Sequence, residues 1–240
     1  MDILYVLGKG SNWENKEILY SLRTVEKYCK NVNRIFITGD FKPNFLNNRV
    51  IFNKCSDVDK ERPNVNTLEK ILWTIKNTDI SENFLLMNDD YFFTKSVDIK
   101  KYPFACKGEL RKINDNKTKY RQTEIETRFF LESIKKPILN YCVHCPLIIN
   151  SKEFLDLEDT CWKKLRESKN GLLHRSVYCN FYKKEPFLRE DCKVYDIGDI
   201  EDLKKKIQPY DCFSSSDESL YKGVIAYLFF NVTERSKYEI

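Results

Sequence analysis

Glycine, histidine and methionine are scarce in this chain, whose 240 residues hold 7 Gly, 2 His and 2 Met. So few glycines exclude collagen-like and glycine-rich architectures. They also leave little material for the glycine-punctuated phosphate loops of dinucleotide and P-loop folds. With two histidines, any imidazole chemistry must come from His144 or His174. Long apolar runs are missing as well: the richest, Val224 to Phe230, falls far short of the about 20 residues a membrane helix needs. Nor does one sign of charge dominate. The 41 Lys and Arg face 36 Asp and Glu, a formal +5, and acidic and basic residues are interspersed. A nucleic-acid binder concentrates its cations on one face. Here the tight run Lys204-Lys205-Lys206 follows Glu201 and Asp202 and reads as a solvated helix face, so no nucleic-acid partner is expected.

What is present describes a globular protein: 42% hydrophobic, 14% aromatic and 32% charged residues. No linker, repeat or low-complexity tract divides the chain, and a single domain over 1–240 is expected. The 9 Cys are odd in number and irregularly spaced, which argues against a disulfide framework. Met1-Asp2-Ile3-Leu4 lacks the basic start of a secretory signal. The expectation is a cytoplasmic protein with reduced thiols and no transmembrane segment.

Periodicity organises the first half. Residues 3–7, 34–38, 49–52 and 84–87 are short β-rich runs, while 14–28 and 66–76 repeat apolar residues at three and four, as helices do. Strands alternating with helices imply a mostly parallel sheet flanked by helices. The second half reads as richer in helix, over 123–133, 152–167, 173–182 and 218–230, with Asn150-Ser151 and Ser216 or Asp217 as caps.

Four constellations could carry chemistry. The turn Gly8-Lys9-Gly10-Ser11 joins a strand to a helix as a phosphate cradle would, although a simple Gly-containing turn has the same pattern. Asn88-Asp89-Asp90 ends an apolar strand, where ligand sites of open α/β sheets lie. Paired carboxylates there favour a hard divalent cation such as Mg²⁺ or Mn²⁺ bridging to substrate phosphates, and the rival reading is an Asx-capped turn. His144, in Cys142-Val143-His144-Cys145-Pro146, could be a general base, a zinc-site neighbour or a buried structural residue. No second CxxC pair supports zinc. Beside His174, Arg175 could grip a phosphate or be an ordinary surface cation.

Taken in order, these segments resemble the Stealth family of sugar-1-phosphate transferases. Asp2-Ile3-Leu4-Tyr5 with Gly10-Ser11 resembles the family's first region. Glu17-Ile18-Leu19-Tyr20-Ser21-Leu22-Arg23-Thr24-Val25-Glu26-Lys27-Tyr28 closely resembles its second. Arg34 to Thr38, Pro43-Asn44-Phe45-Leu46, Ser81-Glu82-Asn83-Phe84 and Asn88-Asp89-Asp90 continue the likeness, and His144-Cys145-Pro146 is similar to its His-x-Pro. The chain departs from the family pattern at Val6-Leu7-Gly8 and lacks an Arg soon after the His-x-Pro.

The resemblance implies a GT-A-like (Rossmann-like) α/β fold. Residues 1–105 would bind a nucleotide sugar, expected to be UDP-linked, and 106–240 would face a glycan or glycolipid acceptor. It implies transfer of sugar-1-phosphate to an acceptor hydroxyl in the synthesis of capsular or other polysaccharide. Gly8, Gly10, Ser11, Arg23 and Asn88 would seat the donor, and Asp89, Asp90 and Asp217 would hold Mg²⁺ or Mn²⁺. His144 would take the acceptor proton, with Asp90 and Arg175 completing the catalytic set. The rivals are a GT-A glycosyltransferase that moves the sugar alone and a non-catalytic carbohydrate- or partner-binding module.

Overall fold

The computed structural model describes residues 1–8, 11, 13–113, 118–195 and 197–240, without the side chains of Asp217, Tyr221 and Lys222. Four parallel strands form its centre: β1 (Asp2–Val6), β2 (Ile35–Gly39), β3 (Val50–Lys54) and β4 (Asn83–Met87). A further strand, β6 (Leu147–Asn150), pairs antiparallel with β4, giving the order β3-β2-β1-β4-β6. The mostly parallel sheet is thus as expected; the antiparallel edge strand is an addition to it.

Helix α1 (Lys16–Tyr28) carries the chain from β1 to β2, and α2 (Pro63–Asn77) carries it from β3 to β4. They cover opposite faces. Ile3 and Tyr5 pack with Ile18, Leu22 and Val25 of α1, whereas Leu4 and Val6 pack with Leu68, Ile71 and Leu72 of α2. Successive strand residues point to opposite faces, so a sheet covered on both sides needs strands apolar at every position. That explains why β1, β2 and β4 read as unbroken apolar runs and not as alternating ones.

Strand order reverses between β1 and β4: from β1 the chain builds outward through β2 and β3, then returns to β1's other edge. At such a switch point the carboxyl ends of neighbouring strands diverge and leave a crevice. The Asn88-Asp89-Asp90 segment follows β4 directly at that point. Gly39, at the end of β2, is close-packed there: a Cβ would lie 2.9 Å from Leu7 Cβ.

The second half wraps the other end of the crevice. Beyond β5 (Tyr91–Phe93) lie α3 (Lys119–Ser133), α4 (His174–Phe181), β7 (Lys193–Val194), α5 (Ile200–Ile207) and β8 (Cys212–Ser215). Strands β7, β8 and β5 form a small sheet beside the main one. The helix expected over 152–167 is in three pieces, with a π-helical stretch, Glu158–Trp162, between Ser151–Asp156 and Lys163–Glu167. Asn150 caps it as expected, its side chain accepting from the Glu153 amide. The last helical segment also contains a wider stretch, Leu220–Val224, and Ser216 is its cap. Among the described residues no helix is long and apolar enough to cross a membrane, and all nine cysteines are free thiols.

Candidate active site

Asn88-Asp89-Asp90 turns the chain from β4 into β5, and its two carboxylates have different surroundings. Asp90 is gripped from the second half of the chain: Ser214 Oγ donates to its Oδ2 at 2.5 Å, and Lys193 Nζ stands 3.8 Å from the same oxygen. Burial, then the neighbouring Asp90 and Glu17 carboxylates, push the Asp89 carboxyl up to about 7. Glu17 is itself buried in the first turn of α1 and accepts a forked hydrogen bond from Ser11 Oγ at 2.8 and 3.0 Å. Ser11 Oγ in turn accepts from the amides of Trp13 and Asn15 at 3.1 and 2.9 Å. Ser11 is therefore tied to Glu17, whose charge acts on Asp89.

His144 stands in the loop before β6. Its Nδ1 is 2.7 Å from Asp191 Oδ1, and its backbone amide donates to the same oxygen at 3.2 Å. The other oxygen, Asp191 Oδ2, accepts from Lys107 Nζ at 2.8 Å. Burial acts to raise the Asp191 carboxyl, but His144 and Lys107 outweigh it and hold it well below the usual carboxylate range.

Arg175, in the first turn of α4, does not project into open space as a phosphate-gripping fork. Its Nη1 donates to Tyr91 Oη at 2.9 Å and to the Val143 carbonyl at 3.1 Å, and its Nη2 donates to the Cys145 carbonyl. The guanidinium thus clamps the carbonyls on both sides of His144 and ties them to β5. Only Nε is left, buried and without a hydrogen-bond partner. Of the two readings left open for Arg175, the ordinary surface cation does not describe it, since the side chain is buried, and a phosphate grip would have to compete with the bonds its Nη1 and Nη2 already make to Tyr91 and the His144 loop. Next to it, burial and then Arg175 depress His174 to about 3, so that imidazole is neutral and is a poor candidate for a proton carrier near neutral pH.

These groups share cavities. One of about 150 Å³ is lined by Asn88, Tyr91, His144, His174 and Arg175. A second, of about 510 Å³, is lined by His144, Asp191, Lys107, Tyr120 and Tyr195. His144 and Tyr120 line both, so the imidazole stands where a strand-end chamber meets a larger outer one. A third, of about 580 Å³, lies by Ser11 and includes Phe41 and Lys42.

Of the residues singled out from sequence, Asn88, His144 and Arg175 line one chamber and Asp89 and Asp90 adjoin Asn88 in the chain. Gly8 is exposed beyond the end of β1. Gly10 lies outside the described residues, and so does the side chain of Asp217. Arg23 is a correction: it faces away, bound through Nε and Nη2 to Glu239 at 2.9 and 2.8 Å and through Nη1 to the Val232 carbonyl at 3.2 Å. It lines a different cavity, with the 231–236 segment. Sequence reasoning missed Asp191, Lys107, Glu17 and Ser214. It also missed Lys70, buried in α2, whose ammonium donates to the Leu7 carbonyl at 2.7 Å and pairs with Asp57 at 2.5 Å. A lysine on the apolar face of a helix was the available signal for that residue, since such a charge needs a partner.

Among the described residues, no three His, Cys, Asp or Glu side chains converge as a ready-made metal cluster. The donor set is two adjoining carboxylates, one raised by burial and then by the other's charge. Such a pair fits a hard cation whose remaining ligands are substrate phosphates and water.

Residues 12–111 match the family model described as Stealth protein CR2, conserved region 2. The match takes in α1, the first four strands from β2 onward and the Asn88-Asp89-Asp90 turn. No curated protein matches the chain. Among solved structures, the galactosyltransferase LgtC, determined in complex with donor and acceptor sugar analogs, shares 11% identity at a TM-score of 0.48, over 81% of this chain and 76% of that one.

Proposed function

Because residues 12–111 match conserved region 2 of the Stealth proteins, we propose that the chain is a sugar-1-phosphate transferase that uses a nucleotide-sugar donor. Residues 1–105 would seat the donor and 106–240 the acceptor, a glycan or glycolipid hydroxyl. The observation that carries this reading is the shared chamber: His144 and Asn88 line one cavity, next to the paired carboxylates Asp89 and Asp90.

The donor diphosphate would occupy the switch-point crevice between the turn after β1 and the Asn88-Asp89-Asp90 turn. Asp89 and Asp90 would hold Mg²⁺ or Mn²⁺, which supplies charge neutralisation for the diphosphate. His144 Nε2 takes the proton of the acceptor hydroxyl as its oxygen forms a bond to the sugar-bearing phosphorus. The bridging phosphoanhydride P–O bond breaks and nucleoside monophosphate leaves. Arg175 holds the His144 loop in register with Tyr91 and adds positive charge to the chamber. Phosphoryl transfer draws mainly on such positioning and charge, and a sugar hydroxyl requires a base that works near neutral pH.

Nucleotide product analysis tests the proposal. Incubation with UDP-, GDP- and CDP-linked sugars, Mn²⁺ and a panel of glycan acceptors should release nucleoside monophosphate in step with product. Release of nucleoside diphosphate alone would mean transfer of the bare sugar, and the proposal would fail in favour of an ordinary glycosyltransferase.

A further inference from the structure

We propose that Asp191 is the positioning residue of this site: it fixes His144 as the Nδ1–H tautomer and leaves Nε2 bare towards the cavity, with Lys107 anchoring Asp191 from behind. The inference rests on the reading of His144 as the base. It adds the residues that make that imidazole usable.

The geometry is closed on one side of the ring. Asp191 Oδ1 lies 2.7 Å from Nδ1 and also accepts from the backbone amides of His144 and Lys193, at 3.2 and 3.3 Å. One oxygen thus holds the ring and the main chain of His144 together, which sets the ring's rotation as well as its tautomer. Asp191 Oδ2 is taken by the Lys107 ammonium at 2.8 Å. A carboxylate in an ion pair is an acceptor only, so the proton on the Nδ1–Oδ1 contact belongs to the imidazole. The neutral ring then carries its lone pair on Nε2. Once Nε2 takes a proton, the imidazolium charge lies against Asp191, which offsets it.

Other elements also place polar groups around His144. Tyr120 of α3 and Tyr195 after β7 line the outer chamber, and His174 and Arg175 of α4 line the inner one. Of these, Arg175 is turned to the flanking carbonyls and not to the ring. Asp191 is therefore the carboxylate placed to orient this imidazole. The Cys192 thiol, next in sequence, donates to the His144 carbonyl at 3.0 Å and pins the loop from the same side.

The ring ¹⁵N shifts of the full chain decide the matter without any turnover. Only two histidines contribute, and the signals that disappear in His144→Gln belong to His144. Above neutral pH, wild-type His144 should show a protonated Nδ1 and an unprotonated Nε2. Asp191→Asn, whose amide can donate to Nδ1, should shift the population to the Nε2–H form. Asp191→Glu should restore the Nδ1–H form in part. A wild-type ring protonated on Nε2, or a tautomer unchanged in Asp191→Asn, would overturn the proposal, and the wild-type spectrum alone is decisive should the Asn variant not fold. In the transfer assay Asp191→Asn should lower kcat about 10²- to 10⁴-fold with little change in donor KM. If the tautomer shifts as stated while kcat is unchanged, the positioning role stands and the assignment of His144 as base fails.

Discussion

Ser214 Oγ donates to Asp90 Oδ2 at 2.5 Å, and this bond joins a carboxylate at the end of β4 to a strand 124 residues further along the chain. It fixes one member of the acidic pair from the second half of the protein, while the other, Asp89, feels the charge of Glu17 in the first half.

Removing the hydroxyl should separate these effects. Ser214 is fully buried, so Ser214→Ala leaves a carboxylate without its donor and opens only a small void. A hydrogen bond to a charged group contributes about 1.5–3 kcal/mol. Urea unfolding of Ser214→Ala should show a loss in that range, with the slope of stability against urea unchanged. A loss below about 0.5 kcal/mol would show that Lys193 or water replaces the hydroxyl.

Asp89 makes stability depend on pH in a direction opposite to that of a paired surface carboxylate. Its folded-state value, about 7, lies above the roughly 3.9 of an unfolded aspartate. Between those values the folded chain keeps a proton that the unfolded chain has released. Stability from this group is therefore present below about pH 4 and declines as pH rises towards 7. Asp89→Asn should flatten that decline in thermal melts taken from pH 4 to 8. A divalent cation at the pair competes with the proton, so Mn²⁺ should raise Tm more at pH 8 than at pH 5. Asp89→Asn should abolish that difference; equal shifts in the variant would place the ion elsewhere.

His174 should act in the opposite direction. Burial, then Arg175, lower it to about 3 from an ordinary value near 6.5. The unfolded chain gains a proton that the folded chain refuses, so this contribution is complete above pH 6.5 and is lost as pH falls towards 3. In His174→Gln the acid limb of the stability profile should be shallower by one proton. An unchanged limb would show that the imidazole is hydrated and not buried.

The first half was legible in sequence because its physics is local. Strands β1 to β4 are short apolar runs bounded by turns, and the stripes of α1 and α2 repeat at helical spacing, so each element declares itself within a dozen residues. Strand β6 was hidden because Leu147–Asn150 is four residues without a pattern of its own, and it exists by pairing with β4. The site followed the same rule. Asn88-Asp89-Asp90 stands out where an apolar strand ends in acid. Asp191 sits in a polar stretch, 47 residues from the imidazole it orients, and no local spacing connects them. Arg175 was found, but its partners are main-chain carbonyls, which the sequence does not distinguish.

Arg23 shows the cost of placing a residue by motif alone, and its variants should behave as those of a structural ion pair. The guanidinium and the Glu239 carboxylate are 2.8 Å apart, with side-chain exposures of 13% and 5%, and they tie α1 to the end of the chain. Removing one partner of such a pair strands the other charge, at a cost of about 3–5 kcal/mol. Arg23→Met should therefore lower Tm sharply and leave the KM for the nucleotide sugar within about twofold of wild type. Glu239→Leu added to Arg23→Met should recover part of the loss, because no unpaired charge then remains buried. A large rise in donor KM with Tm unchanged would return Arg23 to the donor site and make its contact with Glu239 incidental.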